Sequence, residues 1–205
     1  MGVPADLATR SSPLALTVLQ MLAAEPLHPY EMQRRMRLWG KDQVVNLAQR
    51  ASLYKTIARL HEAGLIAVRH TERDQRFPER TVYELTDQGR RVGREWLIEM
   101  LSTPRNEFPR FPAALSFIML LLPHEARATL ERRAATQRAH MQELDRVLSG
   151  EIEARPPRVT LLETEYLRAI ADAELRWLTA VLDDLRSGEL SWTHEELSEA
   201  LKRFL

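Results

Sequence analysis

The side chains able to do chemistry in this 205-residue chain are unevenly spread. Six histidines, His28, His61, His70, His124, His140 and His194, are dispersed, with no two at metal-ligand spacing, and each reads as a surface or packing residue. The acidic pairs Asp183-Asp184 and Glu195-Glu196 sit on helical stretches between apolar positions, where a solvated face is a simpler reading than an acid–base pair. There is no glycine-rich phosphate loop and no nucleophile elbow. The absence of cysteine removes thiol nucleophiles, disulfides and thiolate metal sites together. What remains is a set of hydrogen-bond donors: Arg50, Ser52, Tyr54, Lys55 and Arg59, then Arg73, Arg76 and Arg80. Donors of this kind grip phosphate oxygens and base edges rather than break bonds. The expectation is a non-enzyme that needs no metal and no cofactor.

Those donors need elements to hold them. In "RASLYKTIARLHEAGLI", Arg50 to Ile66, apolar Leu53, Ile57 and Leu60 fall on one face of a helix, which "EAGL" closes. At 100° per residue Ala51, Lys55 and Ala58 then point the opposite way, with Ser52 and Arg59 on one shoulder and Tyr54 on the other. The outward face is small, polar and basic. An ordinary surface helix would also carry Lys and Arg outside, so the neighbouring segments have to decide.

Upstream, Leu14, Val18, Met21 and Leu22 mark a first helix, ended by the prolines of "AAEPLHP". Pro29 suits the first position of a second helix, which runs to Gly40. Downstream the period changes to two. Ile66 and Val68 alternate with Ala67 and Arg69, and Tyr83 and Leu85 with Val82 and Glu84, giving a hairpin around "TERDQRFPE". Thr86 or Asp87 caps a fourth helix, with Val92, Trp96, Leu97, Met100 and Leu101 as its apolar stripe. Three helices followed by a hairpin is the order of a winged helix-turn-helix, in which the third helix enters the major groove and the hairpin follows the backbone.

The fold class expected is therefore mainly α: an N-terminal winged helix-turn-helix of three helices plus β-hairpin, then a C-terminal α-helical dimerisation domain. Residues 1–12 read as a flexible tail, 13–101 as the winged-helix domain with its linking helix, 102–112 as a proline-bearing linker, and 113–205 as the helical dimerisation and effector domain. Within the last, "AALSFIMLLL" reads as a short buried helix, followed by helices from Pro123 to about Leu148, from about Val159 to Arg186, and over about 193–204. The last long helix carries Leu161, Leu162, Ile170, Trp177 and Leu178, more apolar surface than a lone helical hairpin can hide, so a homodimer is expected. No apolar run reaches membrane-spanning length and the N-terminus lacks a signal pattern, which reads as a soluble, cytoplasmic chain.

Net charge is zero, which argues against a general nucleic-acid coat, but residues 1–101 carry +3 and 102–205 carry −3. Segment 49–80 alone carries +3. Glu72, Asp74 and Glu79 dilute the hairpin's arginines, and with the zero net charge they support an alternative, a winged-helix module that binds protein and not DNA.

The stretches "LALTVLQMLAAEPLHPYEMQRRM", "SLYKTIARLHEAGLI" and "VYELTDQGR" resemble the N-terminal domain of PadR-type transcriptional regulators over roughly residues 14–95. "FPAALSFIMLLLPHEARATLERR" and "EYLRAIADAELRWL" are similar to that family's helical C-terminal domain. The resemblance implies a homodimeric repressor that binds double-stranded DNA at a pseudo-palindromic operator and is released by a small effector. It makes "SLYKTIARL" the recognition helix, with Ser52, Tyr54 and Lys55 at DNA and Arg73 and Arg76 on the wing. Two positions depart from it: many members carry glycine where Pro29 precedes Tyr30, and often proline where Lys55 follows Tyr54. Trp96 lies on the helix joining the two halves, where a planar aromatic effector would change the spacing of the recognition helices; the competing reading is a plain core tryptophan.

Overall fold

A computed structural model of the protein describes residues 11–41, 44–45, 50–72, 80–150, 157–193 and 195–197. The chain forms two compact units, Met1–Asn106 and Glu107–Leu205.

The first unit contains α1 (Pro13–Ala24), α2 (Pro29–Leu38), α3 (Arg50–Glu62), β1 (Ile66–Glu72), β2 (Arg80–Leu85) and α4 (Asp87–Ser102). Each helix start has a local cause. The Ser12 hydroxyl accepts the Ala15 N–H at 3.2 Å, ahead of Pro13 at the first helical position. His28 caps α2, its Nδ1 accepting the Glu31 N–H at 3.1 Å, again with a proline next. Thr86, not Asp87, caps α4, its Oγ1 accepting the Gly89 N–H at 2.9 Å.

The buried faces meet in one core: Leu14, Val18 and Leu22 of α1, Met32 and Met36 of α2, Leu53, Ile57 and Leu60 of α3, and Val92 and Trp96 of α4. Each such side chain contributes about 1.5–3 kcal/mol by leaving water.

The hairpin is antiparallel, pairing Ile66 with Leu85 and Glu72 with Arg80. Its alternation differs from the period-two expectation. Register shifts between Val68 and His70, so Arg69 is an extra residue and Val68, expected on the buried face, is exposed. A further contact was not legible in the periodicity. Leu27, between α1 and α2, exchanges two backbone hydrogen bonds with Tyr83, each 3.0 Å, and anchors the inner edge of β2.

The second unit contains α5 (Arg110–Leu115), a 3-10 turn at Ile118–Leu120, α6 (Pro123–Ser149), a 3-10 turn at Arg158–Thr160, and α7 (Leu162–Ser187). The two long helices run antiparallel. Arg133 pairs with Glu174 at 2.5 Å, Arg168 with Asp145 at 2.6 Å, and Arg186 with Glu131 at 3.1 Å, so later positions on one helix meet earlier ones on the other. Leu130, Ala134, Leu175, Leu178 and Leu182 fill the seam.

The expected buried helix over "AALSFIMLLL" is corrected here. The stretch breaks after Leu115, resumes as a single 3-10 turn, and buries none of its side chains; Phe117 is 64% and Leu120 70% exposed. Leu115 and Ile118 are only partly covered, against the α6–α7 seam, and so short an apolar run cannot close over its remaining side chains. Helical structure also begins at Arg110, inside the stretch expected to be linker. Of the last expected helix, Thr193 is described and non-helical and Glu195–Leu197 are helical, while the remainder, like the N-terminal tail up to Arg10, lies outside the described residues. Among the described residues no helix is long and apolar enough to cross a membrane.

Candidate nucleic-acid interface

Helix α3 presents two different faces. Leu53, Ile57 and Leu60 are buried, joined by Thr56, while Ala51, Tyr54, Lys55 and Ala58 are exposed, Tyr54 by 54%. Ser52 and Arg59 lie half-buried between them. The side chains to which the spacing argument gave a side lie on it, and Thr56, to which it gave none, is buried. At Arg59 the structure adds something: its Nε is buried without a hydrogen-bond partner, so the stem is packed down.

The end of α3 is fixed by a tight set of bonds. Gly64 adopts φ +69°, the left-handed region that glycine enters without cost, and the Leu65 N–H reaches back to the Leu60 carbonyl at 3.0 Å. The Thr86 hydroxyl lies 2.8 Å from the Gly64 carbonyl and 3.0 Å from that of Leu65, and the Thr86 N–H donates to Leu65 at 3.2 Å. One threonine therefore ties the end of the outward-facing helix to the start of α4. His61 meets Tyr83 edge-on at 6.1 Å, linking α3 to the hairpin as well.

On the hairpin, Arg69 is exposed and 4.0 Å from Glu84, a loose pairing that leaves the guanidinium accessible. Arg80 opens β2 opposite Glu72. The side chains of Arg50 and Arg80, and Arg73 and Arg76 entirely, lie outside the described residues.

The start of α2 carries an exposed aromatic that the sequence reading passed over. Tyr30 is exposed and stacks on the capping His28 at 6.1 Å. A tyrosine following a proline at a helix start was the available signal, since the opening turn leaves N–H groups free for anions. Behind it, Glu31 accepts from Arg34 at 2.8 Å and from Arg35 at 2.8 Å, and Arg35 also pairs with Glu25. Hydrogen bonds from Arg34 and then Arg35 hold the Glu31 carboxyl down at about 2.

Trp96 is placed elsewhere. It is 1% exposed, one of the largest fully buried side chains of the unit, and its indole Nε1 finds no hydrogen-bond partner. A ligand would reach it only by opening the core.

Residues 18–95 match the model of the Transcriptional regulator PadR-like family. No curated protein sequence matches the chain. Among solved structures, the chain resembles Bacillus subtilis PadR in complex with operator DNA at TM-score 0.65, with 19% identity over 85% of this chain and 99% of that one. The same protein in complex with p-coumaric acid gives 0.67 at 19% identity, over 84% and 98%. The Vibrio cholerae virulence activator AphA gives 0.58 at 15% identity, over 85% and 98%. At such identities the likeness is one of fold: a winged helix followed by a helical region. Residues 18–95 thus form a domain that matches the PadR-like family of transcriptional regulators.

Proposed function

We propose that the protein is a sequence-specific, double-stranded-DNA-binding transcriptional regulator that acts as a homodimeric repressor on a pseudo-palindromic operator and is released by a small effector. The observation that carries this reading is the outward face of α3. Small Ala51 and Ala58 allow close backbone approach to base edges, Lys55 offers a cation at their centre, and Tyr54 offers a hydroxyl to phosphate, all backed by a fully buried stripe. In the sequence, Arg50 at the helix start and Arg73, Arg76 and Arg80 after it add phosphate-seeking charge. The operator complex of the Bacillus subtilis protein, alike in fold, supports the same use of the domain.

Support for the dimer comes from α7. Leu162, Tyr166, Ile170 and Trp177 follow one another at helical spacing and are all exposed, an apolar stripe facing away from α6. A second copy supplies the missing helix, and twofold symmetry sets two recognition helices about 34–36 Å apart. Equilibrium binding to random-sequence duplex across a salt series tests the reading: affinity should fall steeply with salt, as phosphate contacts require. A chain that ignores duplex DNA at low salt would instead be a protein-binding winged helix.

A further inference from the structure

A cavity of about 250 Å³ lies wholly within the second unit, between α5, the 3-10 turn after it, and the first turns of α6. Its walls are mostly aliphatic: Leu115, Ile118, Leu121, Ala126 and Leu130, with Ala114 at the side. At one edge stands Arg133, and Thr129 is the other polar residue of a mostly apolar lining. That arginine is held from two directions. Its guanidinium carbon lies 3.4 Å above the centre of the Phe111 ring, and its Nε donates to Glu174 at 2.5 Å. Glu174 is itself fixed, since Gln137 donates to its second oxygen at 3.3 Å. The ion pair engages Nε and leaves both Nη groups outside it, so the site offers an oriented cation at the mouth of an apolar pocket.

We infer that this pocket binds an aliphatic monocarboxylate, the chain lying on the Leu115, Ile118 and Leu130 wall and the carboxylate meeting the Arg133 Nη donors. A carboxylate matches the guanidinium fork, and the other polar lining group, the Thr129 hydroxyl, already accepts from Arg132 at 3.3 Å. An aliphatic body is preferred over a planar ring because Phe111, which would stack such a ring, already has one face under Arg133 and meets Trp177 edge-on at 6.0 Å, while Phe117, the other aromatic of the lining, is 64% exposed. As the effector site, the pocket rests on the reading of an effector-released DNA binder; as a ligand site it does not.

Calorimetric titration of the full chain with octanoate, with octan-1-ol as a neutral control, tests the inference. Octanoate should bind saturably, one per chain, and more tightly than the alcohol. Arg133→Met should weaken octanoate by about tenfold or more and leave the alcohol unchanged, while Arg133→Lys keeps part of the preference. Ala114→Phe, at an exposed wall position, should abolish both, with thermal melting confirming that each variant folds. Absence of octanoate binding at millimolar concentration, or equal binding by wild type and Arg133→Met, overturns the site. No binding together with a dimer that Ala114→Phe dissociates overturns it in favour of a second copy covering the pocket. Octanoate that binds as described without loosening the protein from DNA upholds the site and removes the effector role from the proposed function.

Discussion

A methyl group added to Gly89 would stand 1.9 Å from the carbonyl oxygen of Leu65 and 2.9 Å from its carbonyl carbon. The first turn of α4 and the chain leaving α3 are thus in backbone contact at a point where only hydrogen fits. The Thr86 hydroxyl, bonded to the same carbonyl at 3.0 Å, closes the contact from the other side. Gly89→Ala gains about 1 kcal/mol of helix propensity, but forcing the two backbones apart costs more, about 1–3 kcal/mol and upward for overpacking against groups that cannot rotate away. Urea unfolding should show net destabilisation. A variant as stable as the parent would mean that the approach is looser than described.

Acid should act on α2 through Glu31. Its folded-state pKa of about 2 lies below the ordinary 4.5, so its contribution is complete above about 4.5 and is lost as pH falls toward 2. Glu31→Gln should flatten the loss of melting temperature in that window by lowering the melting temperature at neutral pH and matching the parent near pH 2. An identical acid limb in both proteins would show that Arg34 and Arg35 leave this carboxylate unperturbed.

Trp96 divides core from switch. Trp96→Ala should cost about 3–5 kcal/mol as a cavity. Trp96→Phe should cost less, because it also removes a buried N–H that has no partner. Folded Trp96→Phe should bind operator as the parent does and respond to ligand as the parent does. A lost ligand response in a folded, DNA-binding variant would restore Trp96 to the effector site.

For the hairpin, replacing Arg73 and Arg76 together by alanine should lower the slope of log affinity against log salt by about two if each meets one phosphate. An unchanged slope would place the tip off the DNA.

The first unit was far more legible in the sequence than the second, and the reason is local. Leu53, Ile57 and Leu60 repeat with the helix period and all are buried, so the exposed positions followed by elimination. Pro13, Pro29 and Thr86 sit where starts and caps require them. What escaped depended on pairing across sequence distance: the Leu27–Tyr83 bridge, the extra residue at Arg69, and the Gly89 contact with Leu65. The stretch "AALSFIMLLL" misled because hydrophobicity was taken as burial, and burial needs a covering element that composition cannot supply. Tyr30 was visible in the sequence but lay outside the helix expected to do the reading. Arg133 stood unmarked in a charged helix, since its cavity forms only when α5 folds over α6.

Recognition of base edges by the outward face of α3 is tested most directly by selecting bound duplexes from a random-sequence pool with the full chain and, in parallel, with Lys55→Ala. The parent should enrich an inverted repeat whose half-sites are centred about one helical turn apart, and Lys55→Ala should relax the preference at one position per half-site, worth about 1–3 kcal/mol if the contact is to a base. Enrichment of the same motif to the same degree by both proteins, or of no motif by the parent, would contradict it.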